Sequence, residues 1–217
     1  MTATLRVNEI FHSLQGESTR AGRRCVFIRL SGCNLACSWC DTRYAMEEAG
    51  RVLTLDMILE SVRPYKADLV EITGGEPLLQ DATPDLASRL AHEGYEVLVE
   101  TNGSLDISAL PYPVFRIMDV KTPSSGMSGK NRWANFAHLR QGDEVKFVIA
   151  DVTDYAWARD VVKGAEYPGR VVTTLFSPVQ GKLEAGMLAG WMLRDRIGAR
   201  LNLQLHRIVW PDEDRGV

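Results

Sequence analysis

Short apolar runs alternate with amphipathic stretches along almost the whole chain, and this alternation restricts the fold more than any other feature. Candidate strands rich in Val, Ile and Phe lie at residues 25–30, 69–72, 96–100, 115–120, 144–149, 171–175 and 201–205. Helical stretches fall between several of them. One covers residues 55–62 behind a cap at Thr54. Another covers 84–93, with Thr83 before it, Pro84 at its first position and Gly94 just past its end. Residues 153–162 and 183–197 supply two more. Strand–helix alternation argues for an α/β fold with a parallel sheet. About six core parallel strands would make an incomplete, TIM-like (β/α) barrel; a doubly wound sheet satisfies the same periodicity. In both, functional loops sit at the C-terminal ends of the strands.

The chain has 217 residues, 45% of them hydrophobic, which suits one sizeable core and a single domain over 1–217. A net charge of −3 with scattered basic residues gives no reason to expect nucleic acid or an anionic membrane. No stretch approaches the ~18 apolar residues of a membrane span, and residues 1–8 lack the apolar run of a signal peptide. A cytoplasmic location is the resulting expectation.

Cys25, Cys33, Cys37 and Cys40 all lie within sixteen residues, unlike a disulfide framework spread over a small secreted chain. Three residues separate Cys33 from Cys37, and two separate Cys37 from Cys40. Soft thiolates select iron–sulfur clusters, zinc or Cu(I). Structural zinc normally needs four protein ligands, and a fourth is not obvious: Cys25 sits in an apolar run, where a lone cysteine behaves as a small hydrophobe, and His12 is distant. Three thiolates on a four-iron cube would leave one iron without a protein ligand. Catalytic zinc stays open as an alternative.

Four polar or Gly-rich segments follow successive candidate strands and so belong on one rim: the cysteine loop, Thr73-Gly74-Gly75-Glu76-Pro77, Thr101-Asn102-Gly103 and Lys121-Thr122-Pro123. Two adjacent glycines let a backbone come close to a ligand. The segment from Asn8 to Ser18 reads locally as a polar loop after a short strand. Asp41-Thr42 reads as a helix cap, and His206 as a histidine ending an edge strand.

The Cys-x3-Cys-x2-Cys loop with Trp39 before its last cysteine, together with Gly-Gly-Glu-Pro, resembles the signature of the radical S-adenosylmethionine (SAM) superfamily. In that superfamily the open iron of a [4Fe–4S] cluster chelates SAM, and reductive cleavage gives a 5′-deoxyadenosyl radical. Glu-Ile-Phe-x-Ser-Leu-Gln-Gly-Glu from Glu9, Val-Phe-Ile-Arg-Leu-x-Gly-Cys-Asn-Leu from Val26, and Cys-x-Trp-Cys-Asp-Thr from Cys37 narrow the resemblance to the 7-carboxy-7-deazaguanine synthases. It is densest over residues 8–44 and recurs at 71–80, 98–103 and 201–207.

That resemblance implies a carbon–nitrogen lyase of the queuosine pathway. Such an enzyme contracts the ring of 6-carboxy-5,6,7,8-tetrahydropterin by hydrogen abstraction at C6, loses ammonia, and recycles SAM. It also implies Mg2+, a homodimer, and a reductant such as flavodoxin or ferredoxin. Carried over by motif, Cys33, Cys37 and Cys40 hold the cluster and Thr42 holds Mg2+. Leu14, Gln15, Gly16, Arg29, Thr73 and His206 bind substrate. Gly75, Glu76, Asp119, Val120, Lys121, Ser177, Pro178, Val179 and Gln180 bind SAM. The chain departs from the pattern in four places. Ser18 stands where Gly is frequent, Asp119-Val120-Lys121 replaces Ser-Pro-Lys, Ser177 replaces a Gln, and Arg207 replaces a Lys beside His206. A glycyl-radical activating protein shares the cysteine motif, and a zinc-binding module shares the thiols; these are the competing readings.

Overall fold

Alternate residues of the central strands face opposite ways, and the sequence assigns each face a different character. The computed structural model describes residues 2–217. In it, β1 (Thr4–Leu14) runs antiparallel to β2 (Arg24–Leu30), and β3 (Arg51–Thr54) pairs antiparallel with β1. From β2 onward the sheet is parallel through β4 (Leu69–Gly74), β5 (Glu96–Thr101), β6 (Phe115–Asp119), β7 (Glu144–Ile149), β8 (Thr173–Pro178) and the two-residue β9 (Arg200–Leu201). The order β3-β1-β2-β4-β5-β6-β7-β8-β9 leaves β3 and β9 at its ends, so the barrel is incomplete.

Val26, Ile28, Val70, Ile72, Val97 and Val99 form the outer face and belong to the main core. Against them pack the buried stripes of α2 (Leu55–Val62) and α3 (Thr83–His92): Leu55, Ile58, Leu59 and Val62 on one, Leu86, Ala87 and Leu90 on the other. Each Leu, Ile or Val among them contributes roughly 1.5–3 kcal/mol by leaving water. The opposite face looks into the lumen, where Phe11, Cys25, Phe27, Leu69, Leu98 and Ile117 make a small apolar layer. The remaining helices are α1 (Arg43–Glu47), α4 (Val152–Lys163), α5 (Ala185–Asp195) and α6 (Leu205–Val209). Among the described residues no helix is long and apolar enough to cross a membrane.

The expected barrel, its parallel strands and the helices at 55–62, 84–93, 153–162 and 183–197 are present within a few residues. Thr54 caps α2 by accepting from the Met57 N–H at 3.2 Å. Several local readings need correction. Residues 8–14 are strand rather than loop, because this part of β1 pairs antiparallel with β2. Thr83 is the first residue of α3, and its hydroxyl donates to the Pro77 carbonyl at 2.6 Å instead of capping the helix. Thr42 precedes α1 without a side-chain capping bond. The strand expected at 201–205 stops at Leu201. There Asn202 turns its amide onto Ser177 Oγ at 2.8 Å and Glu17 Oε2 at 3.1 Å, and the chain enters α6, which carries His206.

The loop from β1 to β2 fills the bottom of the barrel. Thr19 and Arg20 bond Glu144 at the start of β7, and Arg20 also pairs with Glu96 at the start of β5, at 3.0 Å. The same loop spans the open seam: the Ser18 N–H donates to Asn202 Oδ1 at 2.9 Å, and the Leu205 N–H to the Gly16 carbonyl at 2.8 Å.

Candidate active site

All four segments expected on one rim lie at the C-terminal ends of parallel strands, and they are bonded to one another. Gly74 takes φ +140°, a conformation L side chains rarely adopt, and Gly75 sits against the cysteine loop so closely that a β-carbon there would lie 2.9 Å from Cys33 Cβ. The neighbour that these glycines admit is the cysteine loop's own backbone: the Gly75 N–H donates to the Leu30 carbonyl at 3.2 Å and the Glu76 N–H to the Gly32 carbonyl at 2.8 Å. Glu76 is fully buried and accepts from Thr101 Oγ1 at 2.8 Å and from the backbone N–H groups of Asn102 and Leu78 at 2.6 and 2.9 Å. Burial pushes its carboxyl upward, and these donors oppose the shift. Asn102 then donates to Asn34 Oδ1 at 3.0 Å and faces Cys33 Sγ at 3.7 Å.

The far side of the cysteine loop is tied to the segment after β6. Ser38 donates to the Ser124 carbonyl at 2.7 Å, and Trp39 Nε1 donates to Ser124 Oγ at 3.1 Å. Lys121 pairs with Asp119 at 2.8 Å, and its ammonium lies 5.8 Å from the centre of the Trp39 ring. Asp119 Oδ1 is buried with no hydrogen-bond partner, leaving an acceptor beside the thiols for an incoming donor.

Cys33, Cys37 and Cys40 are unbridged and partly exposed. Burial pushes the Cys33 and Cys37 thiols up, and the Lys121 cation eases the shift at Cys37. Binding iron therefore displaces protons from these sulfurs. Cys25 is buried in β2 among Phe11, Phe27 and Leu69, so it brings no fourth thiol to the loop. Among the described residues no three His, Cys, Asp or Glu side chains are placed to hold a single metal ion. Three thiols on one loop, with Cys25 held away from it, suit a four-iron cluster with one open iron better than a closed four-ligand zinc site.

One cavity of about 790 Å³ runs from this rim down into the lumen. It brings together Cys33, Cys37, Cys40, Thr42, Leu14, Gln15, Gly16, Arg29, Thr73, Gly75, Asp119, Lys121, Val179, Gln180 and His206. Glu76, Val120, Ser177 and Pro178 do not line it; Glu76 ties rim loops together, and Ser177 Oγ accepts from Asn202. Arg29 donates to Glu9 at 2.8 Å, and Glu9 also accepts from the Tyr44 hydroxyl at 2.8 Å. Burial, opposed by Arg29 and reinforced by Glu9, pushes Tyr44 up to about 12. His206 stands over Gly16, where a β-carbon would collide with its ring, and burial lowers its imidazole.

Sequence reasoning missed the lower part of the cavity. Glu17, Glu71, Glu100 and Lys146 line it together with Gln15 and Thr73. For three of them the signal is a single charge inside an otherwise apolar strand: Glu71 in Leu-Val-Glu-Ile, Glu100 in Leu-Val-Glu-Thr and Lys146 in Val-Lys-Phe-Val; Glu17 lies in the loop after β1.

Comparison with known proteins agrees with this geometry. Residues 27–112 match the radical SAM superfamily. A 7-carboxy-7-deazaguanine synthase from Chlorobaculum tepidum is 45% identical over 99% of this chain and 98% of its own. One from Koribacter versatilis is 40% identical over 98% of this chain and 100% of its own. The crystal structure of QueE from Escherichia coli shares the fold with a TM-score of 0.76, covering 94% of this chain and 95% of that one at 20% identity. With a cysteine rim, a shared cavity and full-length relatives at this identity, the chain belongs to the 7-carboxy-7-deazaguanine synthase family of radical SAM enzymes.

Proposed function

We propose that this enzyme, a lyase, converts 6-carboxy-5,6,7,8-tetrahydropterin to 7-carboxy-7-deazaguanine with loss of ammonia. The observation that carries this reading is the single cavity joining the three thiols to the Leu14-Gln15-Gly16 turn and Arg29. A [4Fe–4S] cluster on Cys33, Cys37 and Cys40 supplies, when bound, the electron that cleaves SAM.

The chain's own residues divide the remaining work. Gly75, Asp119, Lys121, Val179 and Gln180 surround the rim end and suit SAM, Asp119 through its free oxygen. Arg29, locked by Glu9, offers its planar guanidinium to the substrate carboxylate. Gln15, Gly16, Thr73 and His206 shape the pterin site. Thr42 offers Mg2+ one hard oxygen, with waters and substrate oxygens completing the sphere.

Residues 1–217 act as one radical SAM domain, the chain works as a cytoplasmic homodimer, and a flavodoxin or ferredoxin delivers the electron. The test is anaerobic reconstitution followed by incubation with carboxytetrahydropterin, SAM, Mg2+ and reductant. The expected result is 7-carboxy-7-deazaguanine; SAM cleavage without that product from a fully loaded cluster would overturn the assignment.

A further inference from the structure

Lys146 projects from β7 into the lumen, almost wholly buried. Its ammonium donates to Glu17 Oε2 at 3.0 Å and pairs with Glu100 Oε1. The other oxygens of those carboxylates are also engaged: Glu17 Oε1 accepts from Gln204 Nε2 at 2.8 Å, and Glu100 Oε2 from Thr73 Oγ1 at 3.2 Å. Glu71 lies beside them and accepts from Gln15 Nε2. Phe27, Leu98 and Ile117 close the layer with apolar surface. The charged and titratable groups facing Lys146 are thus Glu17, Glu71 and Glu100, with Asp119, Lys121 and His206 further up the cavity.

One ammonium contacts two of three neighbouring carboxylates. Desolvation pushes Glu71 and Glu100 toward the neutral acid. At Glu100 the Lys146 charge and hydrogen bond outweigh burial, and the carboxyl is held below its usual range. Glu71 lacks a contact with the ammonium; burial and the negative Glu100 push it well above the usual range.

We propose that Lys146 is a positioning residue that holds Glu17 and Glu100 oriented as paired acceptors for the N–H-bearing edge of the pterin's aminopyrimidinone ring. This rests on the pterin reading above. A carboxylate offers acceptors on both oxygens, whereas a carboxylic acid turns one of them into an O–H donor, so a Glu100 protonated for want of the ammonium would lose an acceptor and meet the ring with a competing donor. Lys146 itself need not touch substrate; its donors are directed at the two carboxylates.

The test compares Lys146→Met and Lys146→Arg in the reconstituted enzyme. Removing the cation moves the acid limb of kcat/KM for the pterin about 1–3 pH units upward, and Lys146→Arg returns it most of the way. SAM cleavage without pterin turnover continues in Lys146→Met, since the rim is untouched. A uniform loss of pterin turnover and SAM cleavage at every pH, or an unmoved acid limb, would overturn the proposal. A second measurement needs no substrate. In infrared titration of the protonated-carboxyl band, Lys146→Met should gain a band at neutral pH that Glu100→Gln removes from it. Absence of that band in folded Lys146→Met overturns the proposal even if the wild type makes no deazaguanine, so the two readings fail separately.

Discussion

The buried carboxylate of Glu76 accepts the backbone N–H of Asn102 at 2.6 Å, joining the loop after β4 to the loop after β5. Asn102 carries the link onward to Asn34 and Cys33. Glu76→Gln would turn an amide NH2 toward one of three donors now satisfied by the carboxylate. We expect a loss of about 1–3 kcal/mol in denaturant unfolding, with a lower iron content after reconstitution. An unchanged midpoint and full iron loading would show that Glu76 does not organise the rim.

Gly75→Ala should act on the cluster loop from the other side. Its β-carbon would press on the Gly32 carbonyl and on Cys33 Cβ, so the loop must shift. Overpacking of this kind costs about 1–3 kcal/mol. Iron content and the brown absorbance should fall further than overall helix content by circular dichroism.

Cys25→Ala separates the structural cysteine from the ligands. Cys25 is fully buried in the lumen layer, and losing one heavy atom there costs about 1 kcal/mol. Iron per chain should match the wild type. Ala at Cys33, Cys37 or Cys40 should instead abolish SAM cleavage while leaving the fold by circular dichroism intact.

Ser18 holds φ +67°, in the left-handed region that favours glycine. Its hydroxyl accepts from the Arg20 N–H at 3.0 Å, which partly offsets the left-handed backbone. Ser18→Gly removes the strain and the bond together and should stay within about 1 kcal/mol of wild type. Ser18→Ala keeps the strain and loses the bond. It should unfold at lower denaturant than Ser18→Gly by about 1 kcal/mol; the opposite order would contradict this account of the turn.

The barrel was legible because each parallel strand is an apolar run and each rim segment announces itself with Gly, Pro or a polar cluster. β1 was not legible, because its pairing with β2 shifts register between Val7 and Glu9. The burial alternation of Leu5 and Val7 breaks there, and the polar residues Asn8, Glu9, His12 and Ser13 then read as loop. Glu17, Glu71, Glu100 and Lys146 come from four distant segments, and their meeting depends on parallel register and on the inward loop after β1. Each charge is visible alone, but the cluster is not. Glu76 illustrates the converse: its motif matched a ligand-binding segment, while its side chain ties two loops together. His206 was placed in the site by resemblance; its local context suggested a strand end, and only the turn at Asn202 puts it on a helix over Gly16.

The central claim is that a radical made at the cysteine rim reaches a pterin held lower in the same cavity. The most direct measurement uses substrate deuterated at C6, in the reconstituted enzyme with SAM, Mg2+ and reductant, followed by mass spectrometry of product and recovered SAM. We predict 7-carboxy-7-deazaguanine together with deuterium in the SAM pool. Product formed with no deuterium in SAM or 5′-deoxyadenosine, or no product from enzyme with a complete cluster, would contradict it.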